Sequence, residues 1–120
     1  MENHVKRYHV IVDVAGVGNK KVLHDKQHLY DFLTTLPAKI GMHILYGPVV
    51  VDGIAENPGL SGFVIIDYSH ISIHTFSNGG EALVDVFSCK PYDKETLVKD
   101  VIEFLNVQES KSSIKVVSWG

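Results

Sequence analysis

The chain has 120 residues, with 11 basic and 14 acidic side chains and a net charge of −3. A chain of this length is expected to form a single domain over residues 1–120. Such a domain buries only about two-thirds of the surface of the extended chain. The charges are mixed and form no basic patch, and no apolar run approaches the roughly 20 residues that span a bilayer. Neither nucleic acid nor a membrane is therefore an expected partner.

The cysteine count and the first residues predict a cytoplasmic location. Cys89 is the only cysteine, so no internal disulfide can form, which fits a reducing compartment. Residues 1–6, Met-Glu-Asn-His-Val-Lys, lack the apolar stretch of a signal peptide.

Hydrophobic spacing and turn residues predict eight elements in the order βαββββαβ. Asp25 and Asp93 are placed to cap the two helices, and Pro37 and Gly41 are expected to close the first. Gly47 and Pro48 are expected to interrupt the second strand, because proline cannot donate to a β-ladder. The elements are expected at residues 8–14, 25–36, 42–51, 61–67, 70–76, 81–88, 94–106 and 114–119, with a turn at 56–59.

Short turns between the middle strands imply antiparallel pairing. The predicted fold class is α+β: a two-layer sandwich with a mainly antiparallel sheet and both helices on one face. The other sheet face must either meet water or pack against a second copy of the chain.

The fourth and fifth predicted strands form a hairpin rich in reactive side chains. Alternation gives the hairpin a core face and an opposite, polar face. The core face carries Ile71, Ile73, Thr75, Ala82, Val84 and Val86. The polar face carries His70, Ser72, His74, Leu83, Asp85, Phe87 and Cys89.

The loop length predicts the register of this hairpin. A loop at residues 77–80 places Thr75 opposite Ala82. Counting back sets His74 opposite Leu83, His70 opposite Phe87, and Tyr68 opposite Cys89. The thiol is therefore expected about 5 Å from the peptide bond that joins Tyr68 to Ser69.

The imidazoles of this hairpin are not expected to bind a metal. Positions four apart on a strand, such as His70 and His74, are about 13 Å distant, which is too far to share one zinc ion. Asp85 on the polar face could instead orient His70 or His74.

Residues 69–75, Ser-His-Ile-Ser-Ile-His-Thr, followed by residues 84–89, Val-Asp-Val-Phe-Ser-Cys, resemble the prokaryotic S-adenosylmethionine decarboxylases. Residues 8–13, 60–63 and 114–119 are similar to other parts of that family. These proteins are small pyruvoyl enzymes that cut their own chain before the serine of a Glu-Ser-His motif. The resemblance implies a cut between Tyr68 and Ser69, and a homodimer of cleaved protomers with a small-molecule substrate.

The resemblance also implies the roles of individual residues. Ser69 would become a covalent pyruvoyl cofactor, whose ketone forms a Schiff base with the substrate amine and serves as the electron sink. His74 matches the processing histidine, the proton acceptor at the Ser69 Cα. Cys89 matches the catalytic cysteine that reprotonates the product, and a thiol is mostly protonated at neutral pH. Ser61 matches a serine that assists processing.

Two positions depart from the family pattern. Tyr68 stands where the family has glutamate before the scissile serine. The family loop Trp-Pro-Glu after His-Thr is replaced by Phe76, Ser77 and Asn78. The resemblance assigns Phe76 and Asn78 to substrate binding, at the place where the family glutamate holds the ribose hydroxyls.

The leading interpretation is a pyruvoyl-dependent decarboxylase of S-adenosylmethionine that supplies the aminopropyl donor for spermidine synthesis. One alternative is decarboxylation of arginine or ornithine, an activity of some relatives, because Asn78 lacks the charge of glutamate. Another is an unprocessed, non-catalytic relative that binds a small molecule or a partner protein, because of Tyr68.

Overall fold

The computed structural model describes residues 6–119. Within that range the chain forms one six-stranded sheet and two α-helices. The elements are β1 Arg7–Val14, α1 Lys26–Lys39, β2 Ile44–Ile54, β3 Asn57–Ile66, β4 Ser69–Phe76, β5 Glu81–Ser88, α2 Lys94–Leu105 and β6 Ser113–Trp119. Short 3-10 helices at Lys20–Leu23 and Glu109–Lys111 complete the connections.

The sheet runs in the order β2-β3-β4-β5-β1-β6, and all five neighbouring pairs are antiparallel. The α+β class and the element order βαββββαβ are therefore confirmed. Both helices begin at the predicted caps: Asp25 accepts a hydrogen bond from the His28 N–H, and Asp93 accepts from the N–H groups of Glu95 and Thr96.

One continuous core lies between the helices and the sheet. The predicted inward faces of the helices and of the hairpin are buried, each large side chain contributing about 1.5–3 kcal/mol. Its fully buried members include Leu29, Leu33, Leu36, Ile71, Ile73, Ala82, Val84, Val86, Leu97, Val101 and Leu105.

The first helix runs past Pro37, so closure at that residue is wrong, whereas closure by Gly41 is confirmed: Gly41 follows the C-cap Ile40 with a φ of +75°. Pro37 lies inside α1, which continues to Lys39. Its ring is buried, and its carbonyl accepts hydrogen bonds from the N–H groups of Ile40 and Met42 at 3.1 and 2.9 Å. Packing of the ring in the core and the hydrogen bonds to the Pro37 carbonyl offset the loss of the backbone hydrogen bond that proline cannot donate.

The second strand also runs farther than predicted. β2 continues through Gly47 and Pro48 to Ile54, with register shifts around that point. An edge strand tolerates proline because one row of its backbone groups pairs with no neighbour. The turn lies at residues 55–56 instead of 56–59. Gly59 belongs to β3, where a Cβ would overlap the carbonyl oxygen of Thr75.

Thr75 joins three segments through a buried hydroxyl. The Leu60 N–H donates to Thr75 Oγ1 at 3.0 Å, and Thr75 Oγ1 donates to the Val22 carbonyl at 2.9 Å. The side chain is 3% exposed, so both partners would lose a hydrogen bond inside the protein if the hydroxyl were removed.

Thr75→Val is expected to lower the free energy of unfolding by about 1–3 kcal/mol, the cost of unsatisfied buried groups. Thr75→Ser keeps the hydroxyl and should retain most of the stability. Urea unfolding of the two variants beside the parent chain measures the difference. Equal stability of the valine and serine variants would contradict a bonding role for the hydroxyl.

Candidate active site

The hairpin register places the reactive side chains where the sequence predicts them. Thr75 pairs with Ala82, His74 with Leu83, and His70 with Phe87. His70, Ser72 and His74 therefore lie on the sheet face away from the helices, here called the open face. The predicted register and the predicted division of faces are confirmed.

Cys89 contacts the predicted cleavage site directly. β3 ends at Ile66 and β4 begins at Ser69, so Tyr68 occupies the turn between them. The Cys89 backbone N–H donates to the Tyr68 carbonyl oxygen at 3.1 Å, and the Cys89 thiol donates to the same oxygen at 3.3 Å. Two donors aimed at one carbonyl oxygen polarise it and can stabilise negative charge that develops there.

Ser61 and His74 form a second cluster. They are direct neighbours across β3 and β4, and Ser61 Oγ lies 2.8 Å from His74 Nδ1. A hydroxyl held against an imidazole can relay or orient a proton. This pair opens into a cavity of about 300 Å³ lined by Val49, Val51, Ser61, Gly62, Phe63, Ser72 and His74.

The two clusters do not meet within one chain. Ser69 and His74 lie on the same strand, five residues apart, which corresponds to about 16 Å at the strand rise of roughly 3.3 Å per residue. Alternation also points their side chains to opposite faces. The structure thus joins Cys89 to the Tyr68–Ser69 bond, and Ser61 to His74, but it does not join His74 to Ser69.

The two predicted substrate-binding residues lie beyond His74. Phe76 ends β4 opposite Glu81, two residues from His74 and on the same face. Asn78 is exposed in the turn at residues 77–80, where the loop was predicted. Both residues belong to the end of the sheet that carries the Ser61–His74 pair, and they lie far from Cys89 along the strands.

Asp85 does not contact either hairpin histidine in the way the sequence suggested. Its carboxylate pairs with the Nε2 of His9 on β1 at 2.5 Å, because Asp85 and His9 lie one diagonal step apart on the open face. The His9 ring also meets the edge of the Phe87 ring, at 5.5 Å between centroids. Sequence alone offered no sign of this pair, since His9 and Asp85 are 76 residues apart in the chain.

Tyr92 is a further residue that the sequence did not single out. Its phenol donates to the carbonyls of Val86 and Tyr8 at 2.9 and 3.3 Å. Burial raises the pKa of Tyr92, so the phenol stays a neutral donor. These bonds fasten the segment after Cys89 to β1 and β5.

Comparisons with known proteins identify the family of this chain. The family model described as S-adenosylmethionine decarboxylase matches residues 8–116. The S-adenosylmethionine decarboxylase proenzyme of Carboxydothermus hydrogenoformans is 31% identical over 114 residues, covering 90% of this chain and 87% of the relative. The chain spans smaller shares, 61% and 40%, of two other relatives with that name.

One relative carries a different name. The arginine decarboxylase proenzyme of Caldivirga maquilingensis is 32% identical over 89 residues, covering 71% of this chain and 66% of the relative.

A solved structure shares the fold. The crystal structure of the adenosylmethionine decarboxylase from Aquifex aeolicus VF5 superposes with a TM-score of 0.76, at 23% identity, covering 96% of this chain and 91% of that one. Within residues 6–119, no helix is long and apolar enough to cross a membrane. With a family model that matches residues 8–116, this chain belongs to the S-adenosylmethionine decarboxylase family.

Proposed function

We propose that the chain cuts itself between Tyr68 and Ser69 and then acts as a pyruvoyl-dependent decarboxylase of S-adenosylmethionine. The observation that carries the proposal is the pair of hydrogen bonds from Cys89 to the Tyr68 carbonyl oxygen. Family membership and the predominance of S-adenosylmethionine decarboxylases among the relatives favour the same activity.

The cut begins at the polarised carbonyl. The Ser69 hydroxyl attacks the Tyr68 carbonyl carbon, a C–O bond forms, the C–N bond breaks, and the hydroxyl proton passes to the freed amine. Negative charge on the carbonyl oxygen during the attack faces the Cys89 N–H and thiol. The resulting ester joins Tyr68 to the side chain of Ser69.

The ester is then broken by elimination. A base removes the Ser69 Cα proton, the Cβ–O bond breaks, and Tyr68 leaves as a carboxylate. Water converts the remaining dehydroalanine to a ketone and releases ammonia, which leaves a pyruvoyl group at residue 69. The group fits this position because Ser69 is the first residue of β4, beside a carbonyl held by two donors.

In the mature protein the pyruvoyl group supplies the electron sink that decarboxylation of an amino acid requires. The Cys89 thiol, 3.3 Å from the carbonyl oxygen of the residue before Ser69, would return the proton to the product. Phe76 and Asn78 lie at the far end of the hairpin, so those that contact the adenosyl part of the substrate would come from a second copy.

A second copy of the chain would supply the base. His74 is about 16 Å along the strand from Ser69, which is too far for it to act within the same chain. The open face that carries His74 also has exposed apolar side chains that a partner could cover. These are Val51, Phe63, Ile65 and Val117, between 37% and 52% exposed. In a homodimer with stacked open faces, the Ser61–His74 pair of one copy would face residues 68–69 of the other.

Purified protein is expected to separate into fragments of 68 and 52 residues, the second without a free amino terminus. Intact-mass measurement during incubation at neutral pH detects both. Ser69→Ala removes the attacking hydroxyl and should leave a folded, uncut chain. A parent chain that stays whole would defeat the proposal and favour a non-catalytic binding relative.

Mixed assemblies test which copy provides the base. Neither Ser69→Ala nor His74→Ala alone should yield the pyruvoyl fragment. Co-expressed with distinguishable tags, they should form mixed dimers in which one site has both Ser69 and His74. Roughly half of the His74→Ala chains should then be cut, given random assortment into two-fold dimers. Mass spectrometry that finds no cut chain would place the base elsewhere or in the same copy.

Arginine is the second candidate substrate. Asn78 stands at the position of the family glutamate, and one relative is an arginine decarboxylase proenzyme. An amide gives ribose hydroxyls weaker bonds than a carboxylate does, because charge-assisted hydrogen bonds are roughly twice as strong.

Asn78→Glu is expected to lower the KM for S-adenosylmethionine about fivefold or more, while the matched variant Asn78→Gln should not. Carbon dioxide release from carboxyl-labelled S-adenosylmethionine, arginine and ornithine provides the measurement. If the parent chain releases carbon dioxide from arginine or ornithine but not from S-adenosylmethionine, the proposal of S-adenosylmethionine as the substrate is wrong.

A further inference from the structure

The turn that carries the proposed cleavage site is fastened by Asp67, a residue with no role in the chemistry described above. Asp67 Oδ1 accepts the His43 backbone N–H at 3.1 Å, and Oδ2 lies 3.1 Å from His43 Nδ1. The Asp67 N–H donates in turn to the His43 carbonyl at 3.0 Å. Three hydrogen bonds thus join this one residue to the segment between α1 and β2.

The segment between α1 and β2 makes a second contact next to Tyr68, through Lys90. Lys90 Nζ donates to the Gly41 carbonyl at 3.1 Å, and its ammonium lies 5.2 Å from the centroid of the Tyr68 ring. Residues 41–43 are therefore linked to the cleavage turn in two ways. Asp67, the first residue of the turn, binds His43, and Lys90, which follows Cys89, binds Gly41 and lies over the Tyr68 ring.

This arrangement fixes the carbonyl that must be attacked. Cys89 donates two hydrogen bonds to the Tyr68 carbonyl oxygen. The peptide plane that contains this carbonyl can still rotate unless the backbone before Tyr68 is held as well. Asp67 directly precedes Tyr68. A misplacement of about 1 Å at reacting atoms can cost roughly 100-fold in rate.

We infer that Asp67 is a positioning residue for self-cleavage: its bonds to His43 hold the Tyr68 carbonyl against the Cys89 donors. The inference rests on the proposed function, since it concerns the rate of that cut. The His43 backbone N–H lowers the pKa of Asp67, so the carboxylate is ionised and accepts both bonds at neutral pH.

A purely structural role would have a different signature. The His43 side chain is 87% exposed and the Asp67 side chain 27%, and exposed charged pairs contribute little to stability. Removal of the Asp67 carboxylate should therefore slow the cut far more than it weakens the fold.

The experiment follows the appearance of the 52-residue fragment in freshly synthesised full-length chain, together with the thermal unfolding midpoint. Asp67→Ala should cut about 10- to 100-fold more slowly than the parent with a nearly unchanged midpoint. Asp67→Asn keeps one acceptor for the His43 N–H and should restore part of the rate. His43→Ala keeps the backbone donor and should slow the cut about threefold or less.

Asp52→Ala is the matched control, because Asp52 is also an exposed carboxylate in a pair, 2.9 Å from Lys26, but lies on β2 away from the turn. It should cut at the parent rate. A parent chain that cuts, with Asp67→Ala cutting equally fast, overturns the inference alone. Slower cutting that only parallels a fall in the unfolding midpoint overturns it too. A parent chain that never cuts overturns the proposed function and this inference with it.

Discussion

The antiparallel pairing of β4 with β5 is the constraint on which the candidate site depends. This ladder brings Cys89, 20 residues beyond Ser69, onto the carbonyl of Tyr68. A slip of one residue would turn His70 and His74 into the core, because side chains alternate across a strand. Burial of the intervening residues on both strands, such as Ile73 and Val84, makes that slip costly.

One face of the sheet stabilises the fold, and the other carries the candidate reactive side chains. The face under the helices is packed with aliphatic side chains, together with the buried hydroxyl of Thr75. The open face carries imidazole, carboxylate and hydroxyl groups. Reactive groups on regular strands are placed more accurately than groups on loops. The candidate reactive positions outside the strands, residues 67–68 and Cys89, are hydrogen-bonded to His43 and to each other.

Strand geometry is also the reason for the proposal that two copies build each site. Side chains five residues apart on one strand cannot converge, since the strand is extended and the side chains alternate. A two-fold interface uses the same surface patch on both copies. Stacking the open faces would therefore build two identical sites, each with the cleavage turn of one copy and the Ser61–His74 pair of the other.

The sequence by itself determined the α+β class, the element order, the helix caps at Asp25 and Asp93, and the hairpin register, because these follow from local periodicity, capping and loop length. The resemblance to the family, and not spacing alone, gave the predicted roles of Ser61, Ser69, His74 and Cys89, which stay predictions. Sequence patterns misjudged where α1 ends, since core packing compensates for Pro37, and they ended β2 at residue 51 instead of Ile54. Only the tertiary structure decided that Asp85 pairs with His9 and that Asp67 binds His43. These outcomes depend on which distant segments pack side by side, and local sequence patterns do not record that.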